Sequence, residues 1–146
     1  LERLNLNELL SSAVDLHQHR VKDTQLELNL PVEAYFVEVD RDQLLRVFNN
    51  LLTNAAQAIP DDRQGLIQLS LKPAGQQLQI RISDNGRGIP PDLQDKVFYP
   101  YFTTKSSGTG IGLSMCRNII EQFGGRIYFE HNTGQGTSFI IELNRG

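Results

Sequence analysis

The strongest constraint on the fold comes from two neighbouring segments in which apolar and polar residues alternate. The segments are LIQLSLK, residues 66–72, and QLQIRIS, residues 77–83, and the turn PAGQ separates them. Because successive side chains of a strand point to opposite faces, the alternation places the apolar residues on one face. The sequence therefore predicts an antiparallel hairpin with one apolar face, which helices must cover.

Three segments with apolar residues at helical spacing are available to cover this face. The longest begins after Asp40, a favourable N-cap residue, and stops at Pro60; the others are 7–20, with Asn7 as a candidate N-cap, and 113–123. Four further segments are predicted strands, at residues 25–31, 35–39, 126–131 and 137–143. One layer of helices on one layer of strands predicts a two-layer α/β sandwich.

The composition is that of an ordinary globular protein. A chain of 146 residues, 39% hydrophobic and 21% charged, suits a single domain over residues 1–146. The net charge of −3, without a Lys/Arg run, argues against nucleic acid or an anionic membrane as the main partner, because both require clustered positive charge. No segment approaches the roughly 20 apolar residues of a membrane span. The single cysteine, Cys116, lies in an apolar stripe, which predicts a buried thiol. A single cysteine forms no disulfide within the chain, which fits a reducing, cytoplasmic compartment.

The polar face of the longest predicted helix carries Asn50 and Asn54, which stand four residues apart and therefore share a face. Exposed asparagines are common on helices, so surface polarity is one interpretation. The functional interpretation uses the amide oxygen of Asn54 as a ligand of Mg²⁺. This ion takes few protein ligands when phosphates and waters complete its octahedron.

The segment SDNGRGIP, residues 83–90, follows a predicted strand and contains Asp84, Gly86 and Gly88. Asp, Asn and Gly are ordinary turn residues, so a simple turn is one interpretation. An ionised Asp accepts hydrogen bonds and donates none, so a buried Asp84 is also suited to accept from the amino group of adenine and to reject the carbonyl of guanine. The two glycines allow a purine to lie against the backbone.

A third segment, VFYPYFTTKSSGTGIGL, ends in glycines directly before a predicted helix. Glycines expose backbone N–H groups and a helix N-terminus adds partial positive charge, so this arrangement suits a phosphate. With Phe98 and Phe102 as apolar anchors and Lys105 as a cation, the segment predicts a lid over a triphosphate. The alternatives are a flexible loop with a helix cap, two core phenylalanines and a solvated lysine.

The motifs NLLTNA, DNGRGI, FYPYF and GTGIGL occur in this order, and together they resemble the catalytic ATP-binding domain of sensor histidine kinases. That domain belongs to an ATPase superfamily shared with type II topoisomerases, heat-shock chaperones and the MutL repair proteins. The resemblance extends from about Leu4 to Leu143. It implies a Bergerat-type ATP-binding fold, an α+β sandwich in which a mixed, mostly antiparallel sheet is covered on one face by about three helices, with an ATP lid.

The resemblance implies a role for each residue that matches a motif. Asn54 corresponds to the magnesium-binding asparagine, Asn50 to the position one turn before it, and Asp84 to the adenine-binding aspartate. Lys105 lies where lid residues reach phosphate, and it is expected to act in catalysis together with the two asparagines. The other residues expected to contact ATP are Gly86, Gly88 and Ile89 around the base, Phe98, Phe102 and Thr104 in the lid, Gly108, Thr109, Gly110, Ile111, Gly112 and Leu113 at the phosphates, and Thr137 near the adenine.

Two departures from the family pattern bear on the mechanism. Hydrolytic relatives carry a glutamate at the position of Asn50; an amide has no useful basicity, so attack of water on ATP is expected to be slow. A histidine, with a pKa of about 6.5, is largely neutral at pH 7 and needs no such base, which favours a kinase. Gln57 stands where many histidine kinases carry a phosphate-binding lysine, a contact that Lys105 is expected to supply. The short lid with FTTK resembles the nitrogen-regulation type of sensor kinase.

None of the three histidines matches the phosphoacceptor motif of the family. His17 and His19 lack its acidic neighbour and downstream proline, and these two and His131 are expected at the surface. The resemblance therefore implies that the acceptor histidine lies on a dimerisation domain outside residues 1–146. It also implies a homodimeric full-length protein that passes the phosphoryl group to an aspartate of a response regulator, and it leaves open a tether to the inner face of the cell membrane.

Two other functions remain open at this point: a hydrolytic ATPase of the same superfamily, and a nucleotide-sensing module that has lost catalysis. The first predicts glutamate at position 50 and the second predicts degraded motifs, and the sequence has neither feature. A P-loop protein is excluded because the pattern GxxxxGK followed by Ser or Thr is absent. A dinucleotide-binding fold is disfavoured because YFTTKSS, rather than a buried strand, precedes the glycines.

Overall fold

The computed structural model describes residues 1–18, 24–99 and 112–146. Each predicted helix and strand is present, with slightly different ends. The strands are β1 (Glu2–Asn5), β2 (Thr24–Asn29), β3 (Phe36–Val39), β4 (Gly65–Ala74), β5 (Gln77–Asp84), β6 (Arg126–His131) and β7 (Thr137–Asn144). The helices are α1 (Leu6–Gln18), α2 (Arg41–Gln57) and α3 (Gly112–Gln122), with a 3-10 helix at Pro91–Lys96.

Five strands form one sheet in the order β2-β4-β5-β7-β6. β2 and β4 are parallel, with Leu26 opposite Ile67, and the other neighbouring pairs are antiparallel. Two parallel strands need a long crossover, which the segment containing β3 and α2 supplies. The sheet is therefore mixed and mostly antiparallel, as the resemblance implied.

The β4–β5 hairpin is tighter than the predicted four-residue turn, because only Gly75 and Gln76 lie between the paired strands. Gly75 has a φ of +64°, a left-handed conformation that is common in two-residue hairpin turns. Pro73 extends β4 and pairs with Leu78. Because β2 ends opposite Ser70, β4 is an edge strand at this proline, which is where sheets tolerate a missing N–H.

The apolar face of the sheet packs against the three α-helices and forms the core. The helices bury Leu6, Leu9, Leu10, Ala13 and Val14 of α1, Leu44, Val47, Phe48, Leu51, Leu52 and Ala55 of α2, and Cys116, Ile119 and Ile120 of α3. The three central strands contribute Ile67, Leu69, Leu71, Leu78, Ile80, Ile82, Phe139, Ile141 and Leu143. Burying one Leu or Ile contributes about 1.5–3 kcal/mol, so this interface stabilises the helices more than their intrinsic propensity does.

The two predicted N-caps have different outcomes. Asp40 is the N-cap of α2, and its side chain accepts a hydrogen bond from the backbone N of Gln43 at 3.1 Å. The candidate N-cap of α1 is wrong, because that helix begins at Leu6 and Asn7 lies inside its first turn. The Asn7 amide instead accepts from the backbone N of Tyr35 at 3.0 Å. Asn5 occupies the capping position, since its side-chain oxygen accepts from the backbone N of Glu8 at 3.2 Å.

Two further features were not predicted. β1 pairs antiparallel with β3 in a separate two-stranded sheet, with Leu4 opposite Val37. His17 was expected at the surface, but it is 4% exposed and its Nε2 lies 3.1 Å from Oδ1 of Asn49 on α2. His131 is exposed, as expected, whereas His19 lies outside the described residues. Within the described ranges, no helix has both the length and the hydrophobicity needed to cross a membrane.

Candidate functional site

Asp84 ends β5, and only 5% of its surface is exposed. Its Oδ1 accepts hydrogen bonds from the backbone N of Gly86 at 2.8 Å and from the backbone N of Thr137 at 3.4 Å. Thr137 begins β7 and is itself buried. The two N–H donors orient the carboxylate and compensate part of the cost of burying it. The aspartate predicted to bind adenine is therefore held rigidly where two neighbouring strands meet.

The turn after Asp84 is attached to β4 through Asn85. The Asn85 side chain accepts from the backbone N of Leu66 at 2.8 Å, and the Asn85 backbone N donates to the Leu66 carbonyl at 3.2 Å. The guanidinium of Arg63 donates to the carbonyl oxygens of Asn85 and Gly86 at 2.9 and 3.4 Å. These bonds pair backbone groups that a turn would otherwise leave unpaired, and they fix the position of Asp84.

The same turn packs on the C-terminal end of α2. The backbone N of Arg87 donates to the carbonyl of Ala58 at 2.9 Å, and the Arg87 guanidinium donates to the carbonyl of Gln57 at 3.1 Å. Carbonyls at a helix C-terminus lack intrahelical partners and carry partial negative charge, so a guanidinium stabilises them. Gly86 permits this approach, since a Cβ there would lie 2.5 Å from the Ala58 carbonyl oxygen. Gly88 has a φ of +76°, which favours glycine.

The turn between β6 and β7 also supports Asp84. Nδ2 of Asn132 donates to the hydroxyl of Ser83 and to the carbonyl of Asp84, each at 2.8 Å. Gly136 has a φ of +94° and lies so close to the Asp84 carbonyl that no Cβ fits between them. The end of β5 is therefore held by residues from three separate parts of the chain.

Asn50 lies at the junction of α2 and α3. A Cβ at Gly112, the first residue of α3, would lie 2.5 Å from Nδ2 of Asn50 and 2.8 Å from its Oδ1. The Sγ of Cys116, one turn further along α3, lies 3.7 Å from Oδ1 of Asn50. Burial raises the pKa of the Cys116 thiol to about 12, although the positive charge of Arg46 opposes the increase. The thiol is buried, as predicted, and it keeps its proton at neutral pH as a weak donor to Asn50.

Asn54 follows Asn50 by one turn of α2, and both side chains are partly buried. Helical periodicity places both carboxamides on the same face of α2. An amide oxygen is a suitable ligand for Mg²⁺ when phosphate oxygens and waters complete the coordination. Nowhere in the described ranges do three or more His, Cys, Asp or Glu side chains cluster so that they could hold a metal ion. The chemistry of the Asn54 amide oxygen is compatible with a magnesium ion that arrives with a nucleotide.

Phe98 packs edge-on against Phe139 of β7, with ring centroids 6.1 Å apart. Phe139 in turn contacts Phe129 of β6 at a centroid distance of 6.1 Å. Ile89 and Leu113 are partly buried and also pack against the core. Phe98 is therefore a core contact near the end of the described segment 24–99, and its role as the anchor of a lid stays a prediction.

The predicted site residues fall into two sets. The following seven lie outside the described residues: Phe102, Thr104, Lys105, Gly108, Thr109, Gly110 and Ile111. Of the others, Gly86 and Thr137 each donate a backbone N–H to Asp84, and Gly112 lies so close to the Asn50 carboxamide that a Cβ would collide with it. The turn after Asp84 packs on the C-terminal end of α2, and Asn50 and Gly112 meet about two turns earlier along the same helix.

Sequence reasoning missed four residues that hold the Asp84 turn: Arg63, Asn85, Arg87 and Asn132. Asn85 and Asn132 precede glycines in the turn patterns DNG and NTG, so their positions carried a local signal. Arg63 and Arg87 carried none, because the carbonyl groups that they bind lie 22 and 30 residues away in the sequence.

A family model and the relatives found by sequence point to the same protein family. Residues 39–146 match the family model described as histidine kinase-, DNA gyrase B-, and HSP90-like ATPase. The chain is 37% identical over 146 residues to the sensor histidine kinase ZraS of Salmonella typhimurium (strain LT2), and 34% identical over 148 residues to the sensor protein kinase WalK of Staphylococcus aureus. These alignments include 98% and 97% of this chain but 31% and 36% of the relatives, so the chain spans about a third of their length.

Solved structures agree with the sequence relatives. The catalytic domain of histidine kinase ThkA has a TM-score of 0.88 at 34% identity, and the match covers 99% of this chain and 95% of that one. Histidine kinase ThkA in complex with response regulator protein TrrA has a TM-score of 0.84 at 31% identity, and the match covers 99% of this chain and 42% of that one. The chain therefore belongs to the histidine kinase-, DNA gyrase B-, and HSP90-like ATPase family, and its fold is that of the catalytic ATP-binding domain of sensor histidine kinases.

Proposed function

We propose that this chain binds Mg·ATP and transfers the γ-phosphoryl group to a histidine on the dimerisation domain of a full-length sensor kinase. One observation carries the proposal. A buried carboxylate, Asp84, ends β5, and the turn that follows it packs on the C-terminal end of α2. The carboxamides of Asn54 and Asn50 lie further back along that helix, one turn apart. From Gln57 to Asn50 the helix rises about 10 Å, a span suited to the distance between a nucleobase and its terminal phosphates.

Asp84 is the residue that would select the base. An ionised carboxylate only accepts hydrogen bonds, and the amino group of adenine is a donor at the position where guanine presents a carbonyl. The backbone N–H groups of Gly86 and Thr137 hold the carboxylate in one orientation, so little ordering is needed when adenine binds. Burial strengthens the contact further, because water competes poorly there.

Asn54 and Asn50 would act at the phosphate end. The amide oxygen of Asn54 is the proposed protein ligand of Mg²⁺, which when bound neutralises charge that develops on the transferred phosphoryl group. The Asn50 carboxamide is neutral and non-basic, so it positions a phosphate without activating water. The roles of Lys105 and of residues 108–111 at the phosphates stay predictions from the resemblance.

The acceptor and the downstream partner belong to the rest of the proposed protein. A neutral histidine attacks phosphorus without a general base, so a domain lacking that base still supports transfer to histidine. ThkA, a relative by structure, forms a complex with a response regulator. We include in the proposal a response regulator aspartate as the next acceptor, a homodimeric full-length kinase and a cytoplasmic location for this domain. Membership of the nitrogen-regulation type stays a prediction.

Phosphotransfer to a purified acceptor domain tests the proposal. The chain is incubated with the histidine-containing domain of the same full-length protein and with ATP labelled at the γ-phosphate, and acid-labile phosphohistidine is measured. We expect labelled acceptor and little free phosphate without it. ATP binding without label on the acceptor would reject histidine transfer. Rapid release of phosphate in the absence of acceptor would instead identify a hydrolytic ATPase.

A further inference from the structure

We propose that Arg46 binds the γ-phosphate of ATP, an inference that rests on the proposed function. Arg46 lies on α2 about one helical turn before Asn50, and thus about two turns before Asn54. The Asp84 turn packs at the opposite, C-terminal end of this helix. Along α2 the functional groups therefore run from a base-binding carboxylate through two neutral amides to a guanidinium. A nucleoside triphosphate becomes more negative in the same direction.

The guanidinium of Arg46 is available for an anion. It is exposed, and its Nη2 lies 3.0 Å from the thioether sulfur of Met115, a weak acceptor without charge. Within residues 1–18, 24–99 and 112–146 no carboxylate pairs with Arg46, and Asp42 one turn earlier does not either. A phosphate would therefore replace a weak contact rather than break a salt bridge.

Arg46 also belongs to the cluster that fixes Asn50. Met115 and Cys116 are neighbours in α3, and the Cys116 thiol contacts Asn50 while the charge of Arg46 acts on that thiol. The guanidinium and the Asn50 carboxamide therefore face the same end of α3.

The affinity difference between MgATP and MgADP tests this contact without any measurement of activity. Both nucleotides are titrated into wild type, Arg46→Gln and Arg46→Lys by calorimetry. Arg117→Gln is the matched control, because Arg117 is exposed on α3 and pairs with Glu121. We expect Arg46→Gln to weaken ATP about ten- to hundredfold and ADP less than about twofold, since a charge-assisted hydrogen bond is lost only with the γ-phosphate. Arg46→Lys retains most of the ATP affinity, and Arg117→Gln retains all of it.

Other outcomes are distinguishable. Parallel losses for ATP and ADP, or unchanged affinities for both, would overturn the γ-phosphate contact while leaving the proposed function intact. Unchanged affinities combined with slower transfer to the acceptor domain would place Arg46 at a protein interface, which also overturns the contact. Failure of wild type to bind either nucleotide would overturn the proposed function itself, and this inference with it.

Discussion

At the scale of single residues, the site depends on groups that hold other groups in place. Asp84 is oriented by two backbone N–H donors, and its carbonyl is bound by Asn132. Its neighbour Asn85 is attached to β4 and to Arg63. An Asp-to-Asn change keeps the size of the side chain and one accepting oxygen, so it is expected to alter base selectivity more than overall stability.

Replacement of Asp84 by Asn tests this. One carboxylate oxygen becomes an amino group, which repels the amino group of adenine and matches the carbonyl of guanine, while the other oxygen still accepts from Gly86 and Thr137. We expect ATP affinity to fall about 10- to 100-fold and GTP affinity to stay the same or rise, so that the preference for adenine largely disappears. Titration with both nucleotides measures this, with Asp15→Asn on the exposed surface of α1 as control. An unchanged ATP-to-GTP ratio would remove Asp84 from base recognition.

The residues that the sequence identified and those that it missed differ in one physical respect. Asp84, Asn50 and Asn54 could be predicted as site residues because their motifs follow one another in a fixed order. That order is read from the sequence without any knowledge of contacts. Arg63 and Asn132 act through bonds that span 22 and 48 residues, and no local pattern records such bonds. Long-range partners of this kind need the fold before they can be predicted.

At the scale of elements, the bounds of a helix were predicted well where the apolar periodicity agreed with residues that start or stop a helix. The amphipathic pattern of α2 lies between Asp40 and Pro60, and the helix is found at Arg41–Gln57. β1 was missed because its four residues are too few to show alternation, and its pairing with β3 stabilises it instead. Asn7 was wrong as an N-cap because the helix begins earlier, at Leu6, and Asn5 makes the local capping bond to the backbone N of Glu8.

The α2–α3 junction gives a prediction at this scale. Gly112→Ala places a Cβ against the Asn50 carboxamide, which must rotate away, while the backbones of both helices keep their places. We expect ATP affinity to fall at least about fivefold with the free energy of unfolding within about 1 kcal/mol of wild type. Titration of Asn50→Ala, Gly112→Ala and the double variant checks the cause. In the Asn50→Ala background the second change should have no further effect; additive losses would mean that Gly112 acts independently of Asn50.

At the scale of the whole molecule, one apolar core joins the five-stranded sheet to all three α-helices. The candidate site lies where elements of this core end, at the C-termini of β5 and α2 and at the start of α3. Its geometry is therefore coupled to global packing, and Cys116, which is fully buried between α2 and α3, reports on both. Replacing this side chain probes the packing of the core and the environment of Asn50 at the same time.

Alkaline pH should destabilise the protein through Cys116. Burial raises the pKa of the folded thiol to about 12, whereas the unfolded thiol has a pKa of about 9.0. Between these values the folded state retains a proton that the unfolded state has lost, so this contribution to stability is complete below the unfolded pKa and is lost as the pH rises toward the folded one. Urea unfolding of wild type and Cys116→Ala from pH 7 to about pH 10.5 measures it, and we expect the stability difference between the two proteins to shift against wild type above about pH 9. The pKa of Tyr128 is also raised, by partial burial and by its hydrogen bond to Glu142. Because Tyr128 is present in both proteins, its contribution cancels in the stability difference. Parallel pH profiles would show that the thiol does not titrate between the two states as proposed.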